Sequence, residues 1–94
     1  MTAQKRRMED LVSVGPAMAR DFELLGIHSV AQLARRNPEK MYERLSEVTG
    51  QAQDPCCLDV FRAAVAQARN SRLPKEQRQW WYWSRLRKPR DAQR

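Results

Sequence analysis

A chain of 94 residues and 11.1 kDa has room for one small domain with a single core. Its 18 Lys and Arg outnumber 11 Asp and Glu, and the formal net charge of +7 favours an anionic partner. Nucleic acid and a membrane surface are both anionic, but the contiguous aromatic residues form no helical stripe, so we expect no membrane partner. No apolar run approaches the ~18 residues that span a bilayer, and residues 1–10 contain no apolar stretch typical of a signal peptide. The adjacent Cys56 and Cys57 provide neither a disulfide framework nor zinc spacing, and they fit a reducing, cytoplasmic setting.

The charge is unevenly distributed along the chain. Residues 1–68 carry nine basic and nine acidic side chains, whereas residues 69–94 carry nine basic side chains against only Glu76 and Asp91. The second segment also holds four of the seven aromatic residues, in the run Trp80-Trp81-Tyr82-Trp83. This pattern predicts a neutral body followed by a basic, aromatic C-terminal part.

Apolar residues recur at helical spacing through the first seventy residues, and the scarcity of β-branched residues argues against strands. We predict helices over about 4–12, 16–25, 30–36, 38–48 and 55–70, with a sixth of weaker periodicity near 75–86. The predicted fold class is therefore all-α, a compact five- to six-helix domain over 1–86. The basic tail over 87–94 is expected to be disordered.

Residues with special backbone properties mark the predicted helix ends. Two glycines suit the left-handed position that follows a helix, namely Gly26 and Gly50. Three prolines suit the first helical position, namely Pro16, Pro38 and Pro55. Residues able to cap a helix start precede three of the predicted helices, namely Ser29 (with Gln32 at capping-box spacing), Asn37 and Asp54.

The turn Ser13-Val14-Gly15-Pro16 joins two predicted helices and carries the functional prediction. A helix that begins at Pro16 leaves its first N–H groups without intrahelical partners, and Gly15 has no side chain to obstruct a ligand. The N–H groups of Gly15, Ala17 and Met18 are therefore predicted to bind one phosphate, aided by the helix dipole. Such a contact reads the nucleic-acid backbone and not the bases. The alternative is a plain helical corner in which Gly15 and Pro16 only shape the turn.

The segment from Leu11 to Ile27 (LVSVGPAMARDFELLGI) resembles the helix-hairpin-helix motif of DNA-repair and recombination proteins. Together with the segment from Gln53 to Val65 (QDPCCLDVFRAAV) and the WWYW run, it resembles a small bacterial family. This is the pathogenicity-locus helix-hairpin-helix family, whose members are often labelled mitomycin resistance proteins. The likeness covers about residues 8–84. It implies one helix-hairpin-helix in a fold related to tandem helix-hairpin-helix (SAM-like) domains, with DNA as the partner and a link to DNA repair or damage resistance.

The resemblance places phosphate binding at the turn and the helix after it, on Ser13, Val14, Gly15, Ala17, Met18 and Arg20. The usual hairpin is Gly-apolar-Gly, and Ser13 replaces its first glycine. The position after Pro16 is often basic in DNA-binding members but is Ala17 here, so Arg20, one turn on, is the nearest substitute. A tandem domain would have a second hairpin between the fourth and fifth predicted helices. Residues 48–55 lie there but are longer than a hairpin and lack the motif, so we interpret them as a degenerate, structural counterpart. One hairpin makes few phosphate contacts, so the body alone is expected to bind weakly.

Basic and aromatic residues near the C-terminus form a predicted auxiliary site, namely Arg78, Trp80, Trp81, Trp83, Arg85, Arg87 and Lys88. The aromatic rings can stack on bases of single-stranded nucleic acid, at ~1–3 kcal/mol each, or fold back to close a small core. We favour folding back for at least two of the four. The basic side chains can contact phosphate or remain solvated.

The sequence holds no zinc, phosphate-loop or paired-carboxylate motif, and we interpret Cys56 at a helix start as packing rather than as a nucleophile. We therefore predict a protein that is not an enzyme and has no metal, cofactor or small-molecule substrate. The predicted function is non-specific DNA binding through backbone phosphates in the cytoplasm. The alternative is an adaptor whose aromatic segment docks a protein partner.

Overall fold

A computed structural model describes residues 8–92, with the side chains of 9 and 88–92 outside the description. Its helices are α1 (Pro16–Leu24), α2 (Val30–Ala34), α3 (Pro38–Thr49), α4 (Pro55–Arg69) and α5 (Trp80–Ala92). Two 3-10 turns lie at Met8–Asp10 and Lys75–Arg78, and residues 8–92 contain no strand. The predicted all-α class is thus confirmed. None of the helices in this range combines the length and apolarity needed to cross a bilayer.

The end of α1 forms the left-handed glycine motif that the sequence predicts. Gly26 has φ +74° and its N–H donates to the carbonyl of Glu23 at 3.0 Å. The N–H of Ile27 reaches back to the carbonyl of Phe22 at 2.9 Å, and both of these side chains are buried. This pairing satisfies the last carbonyls of α1 and turns the chain toward α2. Gly50, with φ +70°, ends α3 in the same left-handed conformation.

Two of the three predicted side-chain caps are confirmed. The Ser29 hydroxyl accepts from the Gln32 N–H at 3.1 Å, and the Asn37 side chain accepts from the Lys40 N–H at 3.1 Å. Asp54 precedes α4 but makes no side-chain cap, so that part of the prediction is wrong. Each confirmed cap satisfies an N–H group that has no partner within its own helix.

The helix predicted over 4–12 is not an α-helix in its described part. Residues 4–7 lie outside the described residues, and Met8–Asp10 is a single 3-10 turn. The Val12 N–H donates to the Gln67 side chain at 2.8 Å, so it is not used for a helical bond to the carbonyl of Met8. Ser13 follows with φ +73°, which no α-helix accommodates. A long-range side-chain contact therefore replaces the local helix.

The core is built around α4, which packs against α2, α3, α5 and the second 3-10 turn. Phe61 of α4 lies 5.8 Å from Phe22 of α1, centroid to centroid, and both are fully enclosed. Most apolar positions predicted from helical spacing are buried. Val48 is an exception: it shares that spacing with Met41 and Leu45 but is 41% exposed at the end of α3.

The C-terminal helix is anchored to the body by a buried ion pair. The Arg87 guanidinium donates to both carboxylate oxygens of Asp59, at 3.1–3.3 Å, and Asp59 is fully buried in α4. This ion pair holds the middle of α5 against the N-terminal half of α4. The backbone is helical from Trp80 through Ala92, so the helix predicted near 75–86 begins later and extends further; residues 93–94 lie outside the described residues.

Gln67 of α4 connects the N-terminal turn with the second 3-10 turn. Its side chain accepts from the Val12 N–H at 2.8 Å and donates to the Val12 carbonyl at 2.9 Å. The same amide nitrogen lies 3.4 Å from the carbonyl of Arg78 in the second 3-10 turn. Gln67 is only 4% exposed, so water cannot readily replace these partners. The position of the N-terminal turn therefore depends on this one amide.

Replacing Gln67 with Met keeps the volume but leaves the Val12 N–H and carbonyl unpaired. We expect the free energy of unfolding to fall by about 2 kcal/mol, the usual cost of unsatisfied buried polar groups. Urea denaturation followed by circular dichroism measures this loss. Gln51→Met at an exposed position is the matched control and should change stability by less than about 0.5 kcal/mol. Equal midpoints for the two variants would contradict the role assigned to Gln67.

Candidate nucleic-acid interface

The turn before α1 has the conformation of a tight corner. The Leu11 N–H donates to the carbonyl of Met8 at 3.2 Å, and the Val14 N–H donates to that of Leu11 at 3.3 Å. Between them Ser13 adopts φ +73°, the left-handed region that favours glycine. Ser13, which stands where the motif that this segment resembles has its first glycine, thus has the backbone conformation that glycine favours.

Gly15 lies at the start of α1 and leaves the helix terminus open. Its backbone is extended (φ −102°, ψ −175°), and no described side chain caps the helix there. A Cβ built on Gly15 would meet no atom within 4 Å. Neither backbone conformation nor internal packing in the described structure requires a glycine at this position. The approach to the first N–H groups of α1, at Ala17 and Met18, is consequently unobstructed by a side chain at Gly15.

The residues predicted to bind phosphate lie on this corner and on the helix that follows it. The side chains of Val14 and Met18 pack against the core, so these residues offer only their backbone. Ala17 is exposed at the first turn of α1, and Arg20 is exposed one turn further on. The corner therefore provides backbone donors, with Arg20 as the nearest predicted cation.

The aromatic run divides into an outer and an inner pair. Trp80 and Trp81 are 38% and 36% exposed. Tyr82 and Trp83 are half-buried and meet edge to face at 5.4 Å, and the Trp83 indole N–H donates to the carbonyl of Gln77 at 2.9 Å. Two of the four rings thus pack against the fold, and the other two remain accessible.

Two of the predicted auxiliary cations already have partners in the fold. Arg87 is paired with the buried Asp59, and the Arg78 Nε donates to the carbonyl of Leu73 at 2.7 Å. Arg85 is exposed and lies 4.7 Å above the Trp81 ring, at cation–π distance. The side chain of Lys88 lies outside the described residues. Among the described residues of the predicted auxiliary site, Trp80, Trp81 and Arg85 are the ones that remain accessible to a ligand.

Sequence reasoning missed the polar residue that positions the corner. Gln67 stands among Ala63, Ala64 and Ala68, which are fully buried small residues of α4. An amide inside an apolar helical face is a signal in its own right, because buried polar side chains need partners. That signal identifies Gln67 as buried and paired, but it does not identify Val12 as the partner.

The two cysteines differ in environment. Cys56 is exposed, whereas Cys57 is half-buried against the core. Burial raises the pKa of the Cys57 thiol to about 11, and the negative charges of Asp21 and Asp54 add to this effect. Burial also raises the pKa of Asp21. Cys57 is therefore a protonated packing residue at neutral pH, and this start of α4 does not activate it as a nucleophile.

These features define a small all-α domain whose helix α1 begins without a side-chain cap. The turn before this helix, Ser13 to Pro16, is the glycine corner. The family described as Cdd1, pathogenicity locus, matches residues 2–89, and the chain belongs to this family. The chain is 47% identical over 78 residues to the "Mitomycin resistance protein McrB" of Streptomyces lavendulae, covering 83% of this chain and 70% of the relative. No solved structure matches the chain significantly.

The pKa of Cys57 predicts selective thiol modification. At about pH 8 only roughly one thousandth of the Cys57 thiol is ionised, since its pKa is about 11. Iodoacetamide should therefore modify the Cys56→Ser variant slowly, with a rate that rises about tenfold per pH unit until about pH 11. Mass spectrometry follows the reaction, with Cys57→Ser, which retains the exposed Cys56, as comparison. A rate for Cys57 that is flat above about pH 8 would contradict the burial argument.

The left-handed backbone at Ser13 predicts a stabilising substitution. Ser13→Gly removes a conformational penalty of about 1 kcal/mol, part of which is offset by greater freedom of the unfolded chain. We expect a net gain of about 0.5 kcal/mol in thermal or urea unfolding. Ser29→Gly is the control, because Ser29 has φ −150° and its hydroxyl caps α2. That substitution should cost a few tenths of a kcal/mol. A loss of stability on Ser13→Gly would contradict the assignment.

Proposed function

We propose that this protein is a cytoplasmic, sequence-independent DNA-binding protein that grips backbone phosphate at the glycine corner before α1. The observation that carries the proposal is the open helix terminus at Gly15, where a Cβ would meet nothing within 4 Å. An uncapped helix start presents several N–H donors and the positive end of the helix dipole to an anion. A phosphodiester is an anion that fits such donors without base recognition.

Two further observations support a nucleic acid as the partner. The net charge of +7 attracts a polyanion, and Arg20 lies exposed one turn after the corner. The name of the Streptomyces lavendulae relative refers to mitomycin resistance, and we extend the proposal to a role in DNA repair or damage resistance on that ground. The helix-hairpin-helix interpretation belongs to the same proposal. In this interpretation the 3-10 turn Met8–Asp10 corresponds to the end of the first helix of the motif, and α1 is its second helix.

The exposed apolar surface of α5 favours a second candidate, an adaptor for a protein partner. Trp80, Trp81 and Leu86 are all at least one-third exposed on this helix. Large exposed aromatic side chains are typical of protein interfaces. The same rings can stack on unpaired bases, so a preference for single-stranded over double-stranded DNA would connect α5 with the first proposal.

The proposal is tested by titrating short labelled duplex and single-stranded DNA at several salt concentrations. We expect binding whose log K falls linearly with log salt, because phosphate contacts release counterions. Gly15→Val should weaken binding by about tenfold, as expected for about 1.4 kcal/mol of lost phosphate hydrogen bonding. The substitution should leave the fold intact, because the added side chain meets no neighbour in the described structure.

Ala52→Val, at an exposed loop position between α3 and α4, is the matched control and should bind like the original protein. No binding of the original protein to either DNA at low salt would reject the proposed function. Equal affinities of Gly15→Val and Ala52→Val would reject the corner as the site while leaving DNA binding in place.

A further inference from the structure

Apart from the glycine corner, the described residues form a cationic groove between the end of α2 and helix α3. It is a groove of about 550 Å³ whose lining includes four basic and two acidic side chains: Arg35, Arg36, Lys40, Arg44, Glu43 and Glu47. None of these residues belongs to the glycine corner or to the aromatic run. The groove lies within residues 1–68, whose charges sum to zero. Its positive charge therefore comes from how the fold arranges these side chains and not from the net charge of the segment.

The charged side chains that line this groove, four basic and two acidic, leave it with a net positive charge. Glu47 is paired with Arg44 at 3.1 Å. Nearby Glu39 is bound by Arg62 at 2.7 Å, and the hydrogen bond from that guanidinium lowers the pKa of the Glu39 carboxyl. Glu43 is then the acidic group that remains opposite three lining cations, Arg35, Arg36 and Lys40. An excess of like charges on one surface favours an anionic ligand.

Two arginines, Arg36 and Arg69, bind backbone carbonyls at or near the turn between α2 and α3. The Arg36 guanidinium donates to the carbonyl of Leu25 at 3.2 Å. Arg69 of α4 donates to the carbonyls of Ala34 and Arg36, at 2.8 and 3.0 Å. Arg69 therefore adds a fifth positive charge beside the same turn and fixes its backbone. The backbone that carries Arg35 and leads into α3 is thereby fixed, so little rearrangement of this turn is needed when an anion binds beside it.

The arrangement suits an extended polyanion better than a single ion. Lys40 and Arg44 lie one helical turn apart on α3, a rise of about 6 Å, and Arg36 extends the row beyond the start of the helix. The contact of Arg36 with Leu25 also places the groove at the C-terminal end of α1, whereas the glycine corner lies at its N-terminal end. The two ends of α1 are about 15 Å apart, which corresponds to roughly four or five base pairs of duplex.

We propose that the α2–α3 groove is a second phosphate-binding site, and that its ligand is the backbone of the same nucleic acid that the glycine corner binds. This inference rests on the proposed function. Arg35 and Lys40 are the residues that contact phosphate, since both are exposed and their side chains have no acidic partner among the described residues. Arg36 and Arg69 act as positioning residues, because each also holds backbone carbonyls of the turn.

The test uses the double variant Arg35→Ala/Lys40→Ala and measures binding of a short labelled duplex over a range of salt concentrations. Loss of two phosphate contacts should weaken binding by roughly tenfold or more and reduce the slope of log K against log salt by about 1.8. Arg72→Ala/Lys75→Ala is the matched control, because it removes the same charge from exposed positions outside the groove. It should change affinity by less than about threefold. Circular dichroism and thermal unfolding confirm that both double variants remain folded.

Equal effects of the two double variants on DNA binding would overturn the groove and leave the proposed function standing. If the original protein binds no DNA, a titration with pyrophosphate, followed by amide chemical shifts, separates the two proposals. Saturable shifts over 35–40 that disappear in Arg35→Ala/Lys40→Ala would support a phosphate site with a ligand other than nucleic acid. Absence of both DNA and pyrophosphate binding would overturn the groove together with the proposed function.

Discussion

The buried amide of Gln67 satisfies backbone groups of the turn that precedes α1 and lies close to a carbonyl of the second 3-10 turn. It takes the N–H and the carbonyl of Val12 as a two-point contact, and its nitrogen also faces the carbonyls of Ala63 and Arg78. Hydrogen bonds of this kind are strong inside a protein and costly to leave unmade. Because the Val12 N–H is used here, the chain turns at Ser13 and α1 begins at its own exposed terminus. The turn before α1 is therefore positioned by a contact made near the C-terminal end of α4.

A second polar contact on α4 sets the orientation of α5. Asp59 lies two turns before Gln67 and binds Arg87, with the carboxylate fully buried. Such a pair adds little net stability, but removing either partner alone is costly, so it fixes how the helices meet. With Ser84 buried on the same side, Trp80, Trp81 and Arg85 are left on the outer face of α5. Because Arg87 is paired with Asp59, it is not a free cation for a ligand. The orientation of α5 that this pair stabilises leaves Trp80 and Trp81 exposed.

Local signals in the sequence were sufficient for most of the fold. The prolines, the capping residues Ser29 and Asn37, and the left-handed glycines act within one or two turns, and the four helices from α1 to α4 begin and end close to where these residues indicate. Contacts between distant residues account for the two main differences. Val12 and Gln67 are 55 positions apart, and Asp59 and Arg87 are 28 apart. The first contact lies where the predicted first helix ends, and the second joins α4 to α5, which extends beyond the end predicted for the sixth helix. Neither pairing is encoded by a local spacing.

Charge counted along the chain and charge arranged in space lead to different conclusions about where a polyanion can bind. The first 68 residues sum to zero, yet Glu39 and Glu47 are turned toward Arg62 and Arg44, and Arg35, Arg36 and Lys40 are left together beside α3. Conversely, the basic C-terminal part loses Arg87 to Asp59 and directs Arg69 toward the carbonyls of the α2–α3 turn. Folding therefore places the positive charge of Arg69 beside the α2–α3 turn, near the C-terminal end of α1, whereas the glycine corner lies at the N-terminal end of that helix. A nucleic-acid backbone that reached both ends of α1 would meet the N–H donors of the helix at one end and arginine and lysine side chains at the other. These are the two kinds of phosphate contact that require no recognition of base sequence.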